Sequence, residues 1–400
     1  MSSAQSLVDN RPVSVAHVFL SRVEATPGRE AYRYPVPAAG GAAGAERWHS
    51  LTWAQTAERV HAIAAGLLAL GVRPEERVAI SSSTRVEWIL ADLGAMCAGA
   101  AATAVYPSTH AEETVYILSD SGSRAIFVEN AVQLDKVASA IERLPGLGNA
   151  ILFDPGADLP RVEGLEVLSL AELEKRGTAY LDEHPDAVEE TVGAIEREQL
   201  ATLVYTSGTT GRPKGVRLVH DCWSYQGVAQ EASGLLRSDD VQFLWLPLSH
   251  VFGKALIAGQ VRTGHVMAVD GRIDRIITNL PAVRPTLMAS APRIFEKVYN
   301  GIAGRARADG GAKSFTCSAT ASSTRAAGTG GRSPRPSARS ARHRPRRPPW
   351  SGSWSSPRNG ERSTRPSCGC GNAPGRSSSP SSSSTWRSAR SCARRTQSRV

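Results

Sequence analysis

At Lys313 the chain changes from one kind of polymer to another, and that break limits how much of it can fold. Residues 314–400 hold 17 Arg, 23 Ser and 9 Pro, a single Glu (Glu361), and no Leu, Ile, Met, Lys, Asp or Tyr. Such a stretch buries too little apolar surface to offset the entropy of ordering it, so a disordered tail is expected there. Out-of-frame reading of a GC-rich gene yields this mixture, and the abruptness of the switch points to a frameshift near Lys313. The core must come from residues 1–313.

The tail also distorts the overall charge. Of 47 basic and 37 acidic residues, removing the 17 arginines and Glu361 leaves 30 and 36 for residues 1–313, a net charge of −6 against +10 for the whole chain. The folded part therefore has no basic balance, and no specific nucleic-acid partner is expected for it. Residues 1–24 carry no cationic run followed by an apolar core, and no stretch approaches the roughly eighteen apolar residues of a membrane span. A cytoplasmic location is expected. The most apolar window, Leu93 to Val105, is thirteen residues long and reads as a packed helix and the strand after it. Cys97 and Cys222 stand alone, and the tail cysteines lack C-x-x-C spacing, so neither a zinc site nor a disulfide is expected.

From Leu51 onward helical and strand patterns alternate at the pace of a doubly wound α/β sheet. Thr52 with Gln55, Thr84 with Glu87 and Ser169 with Glu172 fit capping boxes. Val60, Ile63, Ala64, Leu67 and Leu68 recur at helical spacing and stop at Gly71. Strands are expected at Arg77 to Ile80, Ala101 to Val105, Ala125 to Val128 and Ala150 to Phe153, with acidic loop residues from Asp182 to Glu190. Further strands fall at Leu200 to Tyr205, Gly215 to Val219 and Val241 to Leu246, with a helix near Trp223 to Leu236.

The segment with the most chemistry is LVYTSGTTGRPKG, Leu203 to Gly215. An apolar strand runs into a loop of glycines and hydroxyls, and a second strand comes after it. Gly208, Gly211 and Gly215 let the backbone approach an anion. Thr206, Ser207, Thr209 and Thr210 supply hydroxyl donors, and Lys214 a mobile positive charge. A triphosphate suits such a loop. It is not the common P-loop, because the G-x-x-x-x-G-K-[ST] spacing is absent and the β-like GVRLV stands where that motif opens a helix.

YTSGTTGRPKGV resembles the signature phosphate-binding loop of the adenylate-forming superfamily, which includes acyl-CoA synthetases, luciferases and peptide-synthetase adenylation domains. LPLSHVFGK (Leu246 to Lys254) and APRIFEKVY (Ala291 to Tyr299) resemble segments of the long-chain fatty-acyl-CoA synthetases. LTWAQTAERV from Leu51 and YPSTHAEETVYILSDSG from Tyr106 are similar to the same family, so the likeness spans nearly all of residues 30–313. The fold it implies is the N-terminal domain of such an enzyme, α/β with doubly wound sheets, over residues 1–313, and truncated.

The implied reaction joins a fatty acid to coenzyme A at the expense of ATP, through an acyl-adenylate, releasing pyrophosphate and AMP. By the same resemblance, Thr206, Ser207, Gly208, Thr209, Thr210, Gly211 and Lys214 would hold the ATP phosphates, with Thr209 near Mg²⁺. His250 would stand beside the acyl pocket as the catalytic candidate. Histidine there is equally suited to capping the following helix. Trp223, Trp245 and Phe252 are candidates for an acyl tunnel or for plain core, and Arg293, Glu296 and Lys297 for a solvated helix face. A peripheral contact with a membrane surface is typical of long-chain enzymes.

The family's Tyr-Gly-x-Thr-Glu segment, ribose-binding Asp, hinge and C-terminal lysine domain are not found, and a tail without Tyr, Asp or Lys cannot supply them. Negligible thioester formation is therefore expected of the chain as written. Two rival functions are an adenylating enzyme for an aryl or amino acid, and a nucleic-acid- or membrane-binding arm built from the tail arginines. APRIFEKVY argues against the first. The scatter of the arginines and the absence of Lys argue against the second.

Overall fold

Six parallel strands with helices packed on them form the larger part of this molecule's core. The computed structural model describes residues 3–37, 46–206 and 211–290, within one compact unit. The segment from Ala291 to Tyr299, with Arg293, Glu296 and Lys297, lies outside the described residues, as does all of 314–400.

Helices α1 (Ser3–Asp9) and α2 (Val15–Ala25) precede strands β1 (Glu30–Pro37) and β2 (Glu46–Thr52). Next come α3 (Trp53–Ala69), β3 (Arg77–Ser81), α4 (Val86–Cys97), β4 (Ala101–Val105), α5 (Ala111–Ser121), β5 (Ser123–Val128) and α6 (Ala131–Ala138). The chain continues through β6 (Asn149–Leu152), β7 (Glu166–Ser169), α7 (Leu170–Glu183), α8 (Ala187–Gly193), β8 (Leu200–Thr206) and β9 (Lys214–Val219). Helix α9 (His220–Ala232), β10 (Val241–Leu244), α10 (Val251–Thr263), β11 (Val266–Val269) and α11 (Ile276–Val283) complete the described part.

Two sheets result. The larger has the order β7-β6-β5-β3-β4-β8-β9, parallel throughout except for β9, which turns back antiparallel beside β8. The smaller has the order β10-β11-β1-β2. Strands β3 and β4 read RVAIS and AATAV and are buried along almost their whole length, as parallel strands covered by helices on both faces must be.

The capping boxes at Thr52 and Ser169 form with both reciprocal hydrogen bonds, starting α3 and α7. The one expected at Thr84 does not. Helix α4 begins one residue later, at an Arg85 N-cap without a side-chain cap, because Thr84 Oγ1 is drawn away to the Leu246 carbonyl at 2.8 Å. The acidic stretch from Asp182 to Glu190 is not a loop throughout: α7 runs to Glu183 and α8 begins at Ala187, with Val188 and Val192 buried under an otherwise acidic surface. Two or three apolar positions in a polar window are too few to show a helical period. Helix α9 ends at Ala232, short of Leu236.

Helices α3 and α7 cross backbone to backbone. A methyl at Gly177 would lie 1.8 Å from the Ala62 carbonyl oxygen, and one at Gly66 would lie 2.6 Å from that of Leu173. Gly177→Ala is expected to lower the free energy of unfolding by about 2 kcal/mol despite alanine's better helix propensity. Urea denaturation reads this directly, and an unchanged midpoint would refute the close crossing.

Two buried histidines tie stability to pH. His265 sits between Thr263 Oγ1 at 2.6 Å and Gln242 Oε1 at 2.8 Å, and burial lowers its pKa from 6.5 to about 4. His220 is 1% exposed, neither ring nitrogen has a partner among the described residues, and burial, then the charge of Lys254, lowers it to about 4 as well. Between these values the unfolded chain binds more protons than the folded one. The stability contributed is therefore complete above about pH 6.5 and is lost as pH falls toward 4, about 3 kcal/mol for each ring. Urea midpoints should drop between pH 7.5 and pH 5. Equal midpoints would mean that the rings are accessible to protons in the native state.

Candidate nucleotide and acyl site

Parallel register places two sequence-distant segments at one edge of the large sheet. Ala102, Thr103 and Ala104 of β4 stand opposite Thr202, Leu203 and Val204 of β8. The strands therefore end together, β4 at Val105 and β8 at Thr206, and the chain leaves both on the same side. In open α/β sheets this carboxyl edge is where ligands bind.

From β8 emerges the glycine-and-hydroxyl loop, which returns along β9. Thr206 pairs with Lys214 and Tyr205 with Gly215 across the antiparallel ladder, so the loop is a hairpin closed at its root. Thr206 and Lys214 are exposed, and Lys214 makes no ion pair among the described residues. Gly211 adopts φ +133°, which a side chain would strain. Ser207, Gly208, Thr209 and Thr210 lie outside the described residues, and with them the expected Mg²⁺ contact.

The root is held from below. Tyr205 Oη donates to Asp120 Oδ2 at 2.6 Å, and burial, then this carboxylate, raises the phenol's pKa well beyond its ordinary value. A methyl at Gly215 would press on the same ring at 3.1 Å. Beside the root, the Arg212 guanidinium lies 5.2 Å over the Tyr116 ring. Arg212 and Pro213 close one side of a cavity of about 390 Å³ whose other wall is α5 and Arg143.

The second segment, LPLSH, is strapped over the ends of β3 and β4. Leu248 N donates to Thr84 Oγ1 at 3.2 Å, that hydroxyl donates to the Leu246 carbonyl, and Ser249 Oγ donates to the Val105 carbonyl at 3.1 Å. His250 comes next, exposed, as the N-cap of α10, its Nδ1 accepting from Phe252 N at 3.1 Å. The capping role weighed from sequence is thus real. With Nδ1 an acceptor, the neutral ring carries its proton on Nε2.

Trp223 and Trp245 are 3% and 5% exposed and belong to the core, whereas Phe252 is 44% exposed beside His250. Two contacts escaped the sequence reading. Tyr205–Asp120 has no local signal. The other, Asp92 with Lys254, had one: a lone carboxylate in the apolar helix VEWILADLGAMC calls for a buried partner.

This arrangement, a glycine-rich hairpin loop and a histidine-bearing strap at one sheet edge, agrees with a match of residues 19–348 to the model of the AMP-binding enzyme family. The chain belongs to that family. Within the AMP-binding enzymes, it is 31% identical over 255 residues to the long-chain-fatty-acid–CoA ligase FadD15 of Mycobacterium tuberculosis, covering 63% of this chain and 40% of that one. It is 30% identical over 261 residues to the long-chain-fatty-acid–CoA ligase ACSBG2 of Xenopus laevis, covering 63% and 34%. The chain thus spans well under half the length of these relatives. Among solved structures, a long-chain-fatty-acid–CoA ligase (FadD1) from Archaeoglobus fulgidus superposes with a TM-score of 0.60 at 19% identity, over 74% of this chain and 55% of that one. The anthranilate CoA ligase AuaEII, in complex with anthranoyl-AMP, gives 0.59 at 22% identity, over 71% and 51%. These establish the adenylate-forming fold. No helix among the described residues is long and apolar enough to cross a membrane.

Removing the Tyr205 hydroxyl unties the loop root from α5. Tyr205→Phe is expected to cost about 1 kcal/mol of stability, Asp120 being exposed. Amide exchange should accelerate selectively in peptides covering 203–216. Uniform exchange across the chain would show that the bond does not hold the loop.

Proposed function

We propose that this edge is the ATP- and acid-binding site of an AMP-forming fatty acid–CoA ligase. The observation that carries the reading is the convergence of the hairpin loop and the His250 strap at the ends of β8 and β4. The identities to two long-chain ligases favour a fatty acid over an aryl or amino acid.

A carboxylate is a poor acyl donor. Its oxygen attacks the α-phosphorus of ATP, the bond to the β-phosphate oxygen breaks, and pyrophosphate leaves. The coenzyme A sulfur then attacks the acyl carbon and AMP departs with the bonding pair. The protein must therefore neutralise charge growing on the leaving pyrophosphate. The loop Thr206 to Gly211 would donate amides and hydroxyls to the β- and γ-phosphates, with Lys214 adding a cation from the first residue of β9. The exposed Lys214 and the extended left-handed backbone at Gly211 fit that task. Mg²⁺, for which Thr209 is the candidate ligand, would supply further positive charge to the phosphates. His250, at the far side of the same edge, would orient the acid through Nε2–H.

Lys214→Met is expected to weaken ATP binding by about tenfold or more, the loss of one charge-assisted contact. Titration calorimetry with ATP and Mg²⁺ measures this. Unchanged affinity would remove the loop from the nucleotide site.

A further inference from the structure

Deep between helices α4, α9 and α10 lies a charged pair that the proposed chemistry does not use. Lys254 Nζ donates to Asp92 Oδ1 at 2.5 Å, with side chains only 4% and 1% exposed. The ammonium also lies 5.4 Å from the centre of the Trp223 ring. Val15, Met96, Ile257 and Ala258 enclose the group, leaving about 10 Å³ of free space. Two opposite charges so completely removed from water are costly to keep, and an apolar pair of similar volume would often serve stability as well or better. Their placement therefore asks for another explanation.

That explanation is where the pair is wired. Lys254 is one turn into α10, and its backbone N–H donates to the carbonyl of His250 at 3.3 Å. The indole against which its ammonium rests donates from Nε1 to Thr202 Oγ1 at 3.0 Å, in the buried interior. Thr202 lies in β8, the strand that ends at Thr206, and is paired with both β4 and β9. One continuous set of contacts thus runs from the start of α10, where His250 is mounted, through Lys254 and Trp223 to the strand that ends in the phosphate loop. Asp92 fixes its middle to α4.

We infer that Lys254, held by Asp92, is a positioning residue that sets the distance between His250 and the end of β8 at Thr206, so that acid and nucleotide are engaged in one geometry. This rests on the function proposed above. The pair touches neither ligand. Its effect is on a molecule that occupies both ends at once, because linked binding gains affinity only when the two sites keep the span of the ligand.

The test compares the full chain with Lys254→Arg, which keeps the charge, and with the double variant Asp92→Leu/Lys254→Met, which leaves no orphaned charge in the core. Thermal melting reports the fold. Calorimetry reports binding of ATP, of palmitate, and of hexadecyl triphosphate, a probe whose alkyl chain and β- and γ-phosphates reach both ends at once. The double variant is expected to melt near the parent and to bind ATP and palmitate separately within about threefold, yet to lose about tenfold or more on the spanning probe. Lys254→Arg is expected to retain most of that affinity. A stable double variant with parental affinity for the probe would overturn the inference, leaving the pair a structural one. So would a double variant that melts far below the parent, or one that loses all three ligands equally. Failure of the parent chain to bind ATP or palmitate would instead overturn the proposed function, and this inference with it.

Discussion

Parallel backbone pairing between β4 and β8 is the constraint on which the candidate site depends. Three register pairs align the two strands, and because the strands run the same way, the segments after Val105 and Thr206 must appear on one edge. Those positions are 101 apart in sequence. The hydrogen bond from Ser249 to the Val105 carbonyl then anchors a third remote segment at that edge. An antiparallel arrangement of β4 and β8 would have put the loop and the strap at opposite ends of the sheet.

Burial sets the character of the groups behind this edge. Burial pushes the Asp92 carboxyl up and the Lys254 amine down, and each partner's charge draws the other back. The His220 ring, unpartnered among the described residues, is kept neutral by burial and by the nearby ammonium. The charges of Lys214 and Arg212 are water-exposed on the face that would meet ligand, while those of Asp92 and Lys254 behind it are buried and matched. Such a division lets the outer groups move with a ligand while the inner ones hold the frame.

Strands β3, β4, β5, β6, β8 and β10 were legible because apolar runs bounded by turn residues are what a sheet core requires, and β9, although largely exposed, was legible as the β-like GVRLV run after the loop. Helices α3 and α7 were legible because Thr52–Gln55 and Ser169–Glu172 cap them by contacts within a single turn. Thr84–Glu87 has the same spelling, yet the structure uses Thr84 to bind Leu246 and Leu248, 162 and 164 residues away. Strands β1, β2 and β7 were missed: only part of each is buried, and β2 reads ERWHSLT with mostly exposed positions. The family resemblance drawn from LVYTSGTTGRPKG and LPLSHVFGK agrees with the match over residues 19–348.

By itself the sequence offered a candidate phosphate-binding loop, because such a loop is a contiguous run of glycines, hydroxyls and a lysine whose chemistry needs no distant partner. It also determined that the body is α/β, since periodicity is local. Tertiary structure alone decided that His250 and the loop share an edge, that Tyr205 is tied to Asp120, and that Asp92 meets Lys254. Those juxtapositions come from strand order and helix packing, which depend on the summed burial of many side chains and leave no mark at any single position.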